Sequence, residues 1–226
     1  MQSFHQHNSK KIIESVLVKL KSNQIISLIS DAGTPTISDP GSDLVNMCIE
    51  NGIHVYSIPG PSAVISSLVI SGISTEKFSF LGFVPRIKKK QKLFFERIYK
   101  SNETTIFFES PKRIIKTLTD MCLTMGDRKI AIVRELTKKN EETISGNIID
   151  VLNKLNEKVK ILGEITVVVS ACDFKQLDEI SDKQILNYVK DSEIEKLGIS
   201  TISKLIAEKY KVSKRRVYQL IIGNKR

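Results

Sequence analysis

Apolar residues recur along the chain in two alternating patterns, helical spacing and short continuous runs. Between Ile13 and Leu20 they lie three or four positions apart, which predicts an amphipathic first helix. The runs at residues 25–29 and 53–58 are short enough for buried parallel strands, and each precedes a loop and a helix. This order of strand, loop and helix predicts an α/β fold with a mostly parallel N-terminal sheet.

The pattern changes after residue 75, where runs typical of strands become more frequent. Such runs lie near residues 78–81, 104–109, 129–134, 142 and 164–169. Helices are predicted between them, and one begins at Ser110-Pro111 because proline is tolerated in the first helical turn. A second α/β domain with a mixed sheet is therefore expected.

Two domain boundaries follow from these changes, near residues 75 and 173. They divide the chain into an N-terminal α/β domain (1–75), a second α/β domain (76–172) and a small helical C-terminal extension (173–226). The extension is predicted to be helical because apolar residues around 202–206 and 217–221 lie at helical spacing. Ser213 is the expected N-cap of its last helix.

The composition and the cysteine content bear on where in the cell the protein works. No apolar stretch is long enough to span a bilayer, and the first residues lack the charged-then-apolar order of a secretory signal. The three cysteines, Cys48, Cys122 and Cys172, are far apart and odd in number, which suits neither a disulfide framework nor a zinc site. We therefore expect a cytoplasmic protein with no membrane partner.

The formal net charge of +10 raises the expected affinity for polyanions such as nucleic acid. The alternative is a lysine-rich surface with no partner. Two groups of cations are candidate phosphate contacts, although each could equally be a solvated surface. They are Arg86, Lys88, Lys89, Lys90 and Lys92, and Lys211, Lys214, Arg215 and Arg216.

Three segments differ from ordinary connections. Residues 31–41 and 58–63 are rich in Gly and Pro, which allow close approach to a ligand and fix the path of the backbone. The third is a pair of short stretches, residues 109–113 and 134–139, in which charged residues follow the ends of two apolar runs. Each segment also has a purely structural interpretation. The two Gly/Pro-rich segments could be surface turns, and the charged stretches could form an ion pair, Glu109–Arg134 or Arg113–Glu135.

Several common sites are excluded. The sequence has no G-x-x-x-x-G-K-[ST] phosphate loop, no G-x-G-x-x-G turn and no G-x-S-x-G elbow. His5 and His7 lack a third ligand nearby, so no metal site is expected.

The unusual segments together resemble the ribosomal RNA small subunit methyltransferase I family, a branch of the tetrapyrrole methylases. The resemblance rests on ordered motifs between about residues 5 and 170, together with His7-Asn8. They are Ser-Asp-Ala-Gly-Thr-Pro at 30–35, Ser-Asp-Pro-Gly at 38–41, Ile-Pro-Gly-Pro-Ser-Ala at 58–63, Phe-Glu-Ser-Pro with Arg at 108–113, Arg-Glu-Leu-Thr-Lys at 134–138 and Gly-Glu-Ile at 163–165.

The resemblance implies a two-domain tetrapyrrole-methylase-like fold that holds S-adenosylmethionine in a cleft between the domains. It also implies methylation of the ribose 2'-hydroxyl of a cytidine in small-subunit (16S) ribosomal RNA, by a homodimer. The cofactor-binding residues carried over from the family come from all three segments. They are Asp31, Ala32, Gly33, Thr34, Pro35, Asp39, Pro59, Gly60, Pro61, Ser62, Ala63, Glu109, Arg134, Leu136 and Thr137.

Two catalytic roles are predicted at the Arg-Glu-Leu-Thr-Lys motif. Glu135 is the candidate proton acceptor for the hydroxyl, and Lys138 the candidate electrostatic aid. The family begins with a further strand, a Pro-Ile-Gly-Asn loop and an acidic-Asp-Thr-Arg motif, and this sequence starts after them. The missing strand is expected to leave a sheet neighbour unpaired and one wall of the cofactor site open.

Two alternatives remain. The same fold could methylate a tetrapyrrole, as cobalamin-precursor and siroheme methylases do. The chain could also be a non-catalytic nucleic-acid-binding protein whose last two helices act as a helix-turn-helix.

Overall fold

The computed structural model describes residues 3–5, 9–172, 182–190, 198–210 and 212–223. His7, Asn8 and Lys211, which the sequence analysis singled out, lie outside these ranges. The chain forms two compact units, Met1–Ala171 and Cys172–Arg226. The domain boundary near residue 75 lies inside the first unit, and the three-part division of the chain stays a prediction.

The first unit contains one five-stranded mixed sheet in the order β1-β2-β5-β3-β4. β1 and β2 are parallel, and β5 is antiparallel to both β2 and β3, as β4 is to β3. The carboxyl ends of β1, β2 and β3 therefore share one edge with the first residues of β4 and β5. The strands are β1 (Phe78–Phe83), β2 (Thr104–Glu109), β3 (Lys129–Arg134), β4 (Glu142–Asn147) and β5 (Ile165–Val169).

Helices cover both faces of this sheet. One face packs against α4, α5 and α6 through buried side chains such as Phe107, Ile132 and Val167. The other face packs against α3 through the alternate residues Ile106 and Val168, as the pleat of a strand requires. The helices of this unit are α1 (Ser9–Lys21), α2 (Ser42–Glu50), α3 (Ala63–Ile70), α4 (Lys88–Tyr99), α5 (Ile114–Met125) and α6 (Ile148–Asn156).

The strands predicted after residue 75 are confirmed, as is the mixed sheet that they form. Ser62 caps α3 by accepting a hydrogen bond from the Ile65 amide. The helix predicted to begin at Ser110 begins instead at Ile114. The Ser110 carbonyl accepts from the amides of both Arg113 and Ile114, so a tight turn precedes the helix.

The predicted N-terminal parallel sheet is wrong for this structure. Residues 24–30 and 53–62 have no regular secondary structure, and within the described chain neither segment pairs with a strand. A parallel strand needs neighbours for its backbone groups and cover on both faces, and these runs have neither. The side chains of Ile25, Ile29, Tyr56 and Ile58 are 98%, 71%, 81% and 85% exposed.

Helices α1 and α2 form a small core of their own. Ile13, Val16 and Leu17 of α1 pack with Leu44 and Cys48 of α2. This cluster is separate from the two that cover the sheet. Hydrophobic burial therefore holds these helices together without the predicted strands between them.

The second unit is helical, as predicted for the C-terminal extension. Its helices are α7 (Asp182–Lys190), α8 (Ile199–Tyr210) and α9 (Lys214–Gly223). Ile185, Ile206 and Val217, one from each helix, are fully buried in a common core. Ser213 caps α9 by accepting from the Arg216 amide, which confirms the predicted cap.

Within the described ranges, none of the helices is both long and apolar enough to cross a bilayer. All three cysteines are free thiols, and Cys48 is buried. Burial raises the pKa of the Cys48 thiol, so it remains protonated near neutral pH.

Candidate functional site

The structure brings the two Gly/Pro-rich segments into contact. We call residues 31–41 the first loop and residues 58–63 the second loop. The Thr34 hydroxyl of the first loop donates to the Pro61 carbonyl of the second over 3.0 Å. Ser30, just before the first loop, donates to the Ala32 and Gly33 carbonyls and so tightens the turn. This hydrogen bond joins the two loops, although Thr34 and Pro61 lie 27 positions apart in the chain.

The first loop has an unusual backbone. Gly33 has a φ of 68°, and the non-glycine residues Thr36 and Ser38 have φ values of 72° and 61°. Such left-handed positions cost an L-residue about 1–2 kcal/mol each, so surrounding contacts must hold them. A side chain at Gly41 would be strained, since φ there is 140° and a Cβ would lie 2.7 Å from Cδ2 of Leu28, which would have to move.

The first loop lies beside the carboxyl end of β1. The pairing of β1 with β2 is irregular between Phe80 and Phe83, and Gly82 in that bulge has a φ of 68°. A Cβ at Gly82 would lie 3.8 Å from the Ser38 hydroxyl oxygen. The second loop leads into α3, so both loops lie at this edge on the α3 side of the sheet.

Residues 134–138 follow β3 at the same edge and form a second unusual turn. Glu135 and Thr137 have φ values of 52° and 64°. The Glu135 carboxylate accepts from the Glu164 amide over 3.0 Å and from Lys138 Nζ over 3.1 Å. Lys138 Nζ also pairs with the Glu164 carboxylate over 3.2 Å. We call Glu135, Lys138 and Glu164 the strand-end triad, because they join the turn after β3 to the start of β5.

A glycine makes room for this triad. Gly163 has a φ of 88°, and a Cβ at that position would overlap the carboxyl group of Glu135. Glycine is therefore favoured at the first residue of the Gly-Glu-Ile motif, because a Cβ there would be strained at this φ and would displace the Glu135 carboxylate. The sequence contains the motif, but nothing in it indicates that Glu135 covers this position.

The triad shifts the acidity of two of its members. The backbone amide of Glu164, followed by Lys138, lowers the pKa of Glu135 below its ordinary value. Glu135, followed by Glu164, raises the pKa of Lys138. The Glu135–Lys138 pair therefore stays ionised over a wider pH range than either group alone, and Glu135 is a weak base.

Both predicted ion pairs at the strand ends are wrong. Glu109 pairs with Arg113 at 3.4 Å rather than with Arg134. Arg134 pairs with Glu142 at 3.0 Å, and Glu135 pairs with Lys138 rather than with Arg113. The antiparallel ladder is the reason, since it sets Arg134 opposite Glu142 in the register of β3 with β4.

Glu109 is held on the face that packs against α5. It is 2% exposed, and its carboxylate accepts from the Ser110 amide and the Thr117 hydroxyl, each over 2.7 Å. Arg134 lies on the same face and also donates to the Leu162 carbonyl over 3.0 Å. These side chains hold the sheet edge together, so the geometry favours a structural role over the predicted contact with a cofactor.

The other predicted binding residues are accessible. Asp31, Gly33 and Thr34 are exposed at the first loop, and Pro59 and Gly60 at the second. Pro35, Ser62, Ala63 and Leu136 are half-buried, while Ala32, Asp39, Pro61 and Thr137 are exposed. The structure thus gathers the first and second loops and the turn after β3 at one edge of the sheet. Their contact with a cofactor stays a prediction.

No group of three or more His, Cys, Asp and Glu side chains in the described part of the chain is arranged to hold a metal ion. His5 is exposed, and His7 lies outside the described residues.

Residues 1–152 match the family described as Tetrapyrrole (Corrin/Porphyrin) Methylases. The chain is 45% identical over 168 residues to the ribosomal RNA small subunit methyltransferase I of Thermotoga maritima, which covers 74% of this chain and 75% of that one. It is 38% identical over 218 residues to the protein of that name from Streptococcus pyogenes serotype M3, covering 96% and 76%. With the Bacillus subtilis protein of that name the identity is 43%, over 78% of this chain and 60% of the relative.

Solved structures share the fold at low identity. A diphthine synthase superposes with a TM-score of 0.54 and 13% identity, over 74% of this chain and 68% of that chain. A cobalt precorrin-4 methyltransferase from cobalamin biosynthesis superposes with a TM-score of 0.53 and 11% identity, over 71% and 70%. At this identity the likeness shows a common fold and carries no information on substrates.

Proposed function

Because the chain belongs to the tetrapyrrole (corrin/porphyrin) methylases, within the ribosomal RNA small subunit methyltransferase I family, we propose that it methylates ribosomal RNA. The methyl donor is S-adenosylmethionine, and the acceptor is the ribose 2'-hydroxyl of a cytidine in the small-subunit RNA. The observation that carries this proposal is the 38% identity to the Streptococcus relative across 96% of the chain. The accessible loops at one sheet edge support it.

The first and second loops fit the chemistry of the proposed donor. Asp31 and Asp39 are exposed carboxylates that suit the positive charges of a sulfonium amino acid. Ile37 and Ile58 are exposed apolar side chains that suit an adenine ring. The Thr34–Pro61 hydrogen bond holds the two loops together before a ligand arrives, which reduces the entropy lost on binding.

S-adenosylmethionine, when bound, supplies an activated methyl group on a positively charged sulfur. The work of the protein is then to orient the hydroxyl in line with the methyl carbon and to exclude water. The hydroxyl would lose its proton when it accepts the methyl group, so a proton acceptor of this chain would have to lie beside it. Glu135 remains the proposed acceptor of that proton, with Lys138 beside it at 3.1 Å.

The lowered pKa of Glu135 limits this role. A general base works best when its pKa lies near the working pH, and the strand-end triad moves Glu135 in the opposite direction. The contacts of Glu135 with the Glu164 amide and Lys138 support a second role, which is to hold the turn after β3 in its left-handed conformation. The kinetics of substitutions at Glu135 separate the two roles.

Binding and transfer can be tested separately. Calorimetry of the chain with S-adenosylmethionine and with its demethylated product should give heat for both, and no heat with either would contradict the proposal. A methylation assay should then offer small ribosomal subunits and a tetrapyrrole precursor to the same preparation. If only the tetrapyrrole is labelled, the acceptor is a tetrapyrrole and the RNA acceptor is wrong.

We further propose that the protein acts in the cytoplasm as a homodimer. Its three free thiols suit a reducing compartment. A mass measurement in solution that gives a monomer would contradict the dimer, and secretion of a tagged chain would contradict the location.

A non-catalytic nucleic-acid-binding protein is the second candidate, favoured by the surface of α9. Lys214, Arg215, Tyr218 and Gln219 are exposed one turn apart on one side of this helix, which packs on α8. A basic, aromatic and amide-bearing helix face is typical of nucleic-acid contact. Retained RNA binding without any binding of S-adenosylmethionine would favour this candidate.

A further inference from the structure

A cationic cavity lies between α4 and α5, on the face of the sheet that also holds Glu109. Its volume is about 190 Å³. Its lining combines cationic side chains with an amide and a hydroxyl. The residues are Arg86, Lys88, Gln91, Arg113, Lys116 and Thr117, and we call them the α4–α5 pocket.

Arg113 is fixed in this pocket before any ligand binds. Its guanidinium donates to the Val84 carbonyl over 3.1 Å and to the Pro85 carbonyl over 3.2 Å. The buried carboxylate of Glu109 lies 3.4 Å from the same group and is itself held by Thr117. A guanidinium held at three points keeps its orientation, so little entropy is lost when it meets an anion.

The remaining cations have no such counter-charge. Arg86, Lys88 and Lys116 are exposed, and no ion pair is seen for any of them within the described residues. The lining therefore contains four cations and no carboxylate, and Glu109 lies beside one of them, Arg113. The first turn of α4, which has no side-chain cap, adds the positive end of a helix dipole.

From this arrangement we propose that the α4–α5 pocket binds a backbone phosphate of a single RNA strand. A phosphodiester has the negative charge and acceptor oxygens that match two guanidinium groups and two ammonium groups. Lys89, Lys90 and Lys112 are exposed and each is next in sequence to a lining residue, and this further positive charge favours an extended polyanion over an isolated phosphate ion.

The position of the pocket gives this contact a role. Val84 and Pro85 follow β1, and Glu109 ends β2, so the pocket lies at the same sheet edge as the first loop and the strand-end triad. A phosphate held there would fix one end of the strand whose ribose is methylated. The RNA identity of the ligand rests on the proposed function, whereas the anion site rests on the pocket alone.

The test compares two double variants that remove the same charge. Arg86→Gln with Lys116→Gln alters the pocket, whereas Lys77→Gln with Lys100→Gln alters exposed lysines beside the start of β1 and the end of α4, at the opposite sheet edge. Binding of a labelled single-stranded oligoribonucleotide is followed by fluorescence anisotropy at several salt concentrations. Thermal unfolding of each full-length variant checks that it is folded.

The pocket variant should bind the RNA about tenfold more weakly than the control variant at low salt, the order expected for lost charge-assisted contacts. Its plot of log affinity against log salt should be shallower by about 1, the value of one phosphate contact. Replacing Arg86 by Lys instead of Gln in the pocket variant should restore part of the affinity, because lysine keeps the charge but lacks the fork geometry of arginine. Equal weakening in both double variants, or no RNA binding by the unmodified chain, would overturn the inference.

Three further results identify the source of the phosphate and separate this inference from the proposed function. If inorganic phosphate at constant ionic strength shifts the NMR signal of the Gln91 side chain and RNA does not, the occupant is a free anion and the RNA contact is wrong. If the pocket variant alone loses RNA affinity while the unmodified chain transfers no methyl group, the pocket stands and the methyltransferase proposal fails. If the pocket variant transfers methyl groups with an unchanged KM for RNA, the methyltransferase proposal stands and the pocket contact is wrong.

Discussion

Glu135 illustrates how one side chain can combine a proposed chemical role with a structural one. It has a left-handed backbone, covers Gly163, and accepts hydrogen bonds from Lys138 and from the amide of Glu164. A left-handed non-glycine residue is retained only where neighbouring contacts stabilise it. The strand-end triad supplies those contacts, so substitutions here should change both the stability of the turn and the rate of methylation.

Replacing Glu135 by Gln should separate these effects. If Glu135 is the proton acceptor, kcat should fall by about 100-fold or more, as expected for general base catalysis, while KM for RNA changes little. If it only positions the turn, the loss should be smaller and should appear in KM together with a lower Tm. Normal turnover in both Glu135→Gln and Lys138→Ala would remove both predicted catalytic residues.

Glu135→Gln should also change how the stability of the fold depends on pH. The folded pKa of Glu135 lies below its ordinary value of 4.5, so its carboxylate stabilises the fold above that pH. This contribution is lost as the pH falls through the folded pKa. Denaturant unfolding from pH 7 to 3 should therefore show a smaller acid loss for Glu135→Gln than for the unmodified chain. Identical curves would contradict the assigned pKa shift.

Gly163→Ala tests the fit between the glycine and the carboxylate. The new methyl group would overlap Glu135, and the φ of 88° would also be strained. Gly126→Ala is the control, because Gly126 has a φ of 78° but has open space around its Cα. The control should lose about 1–2 kcal/mol of stability in urea and Gly163→Ala at least about 1 kcal/mol more. Equal losses would show that the overlap is relieved at no cost.

The contact between β2 and α5 shows what holds an element at the sheet edge. Glu109 ends β2 fully buried, and Thr117 and Arg113 from α5 and its preceding turn satisfy its carboxylate. A buried carboxylate without such partners is costly, so α5 can dock here only with these polar side chains in place. The motif that suggested a ligand site therefore joins a strand to its helix.

Thr117→Val should remove one of these hydrogen bonds while keeping the shape of the side chain. We expect a loss of about 1.5–3 kcal/mol in unfolding free energy, the range for a hydrogen bond to a charged group. Thr119→Val in the same helix is the control, since Thr119 is exposed and bonds only to the Ile115 carbonyl. If both variants lose equal stability, the Glu109 contact is not the cause.

The two irregular segments near the N-terminus should exchange hydrogen differently from the sheet. Residues 24–30 and 53–62 lack ladder hydrogen bonds, whereas β2, β5 and β3 are paired on both sides. Backbone amides without such bonds exchange with solvent readily, so both segments should exchange hydrogen within the shortest labelling time. Protection there equal to that of β3 would show that the predicted parallel strands do form in solution.

At the level of the full chain, the excess of positive charge should govern encounter with RNA. A net charge of +10 with basic residues on both compact units predicts affinity that falls steeply as salt rises. Lys214→Gln with Arg215→Gln on α9 should reduce this dependence and weaken binding to all RNA sequences alike. Lys19→Gln with Lys21→Gln, in the last turn of α1, removes two exposed charges from the other compact unit and is the control. Salt-independent binding would contradict an electrostatic interface.

Some features of this protein are determined by residues close together in the sequence. The mixed-sheet strands, the Ser213 cap and the C-terminal helices follow from apolar spacing and capping chemistry, and the structure confirms them. Local patterns specify such features because the interacting groups lie within a few residues or within a known motif.

Other features depend on neighbours that the spacing of residues does not reveal. The runs at 25–29 and 53–58 have strand-like composition, yet they remain exposed because a strand exists only beside a partner. The ion pairs Glu109–Arg113 and Arg134–Glu142 follow from sheet order and register, as does the position of Glu135 over Gly163. The fold alone places these groups, since distances between residues far apart in the chain are set by how its strands pair.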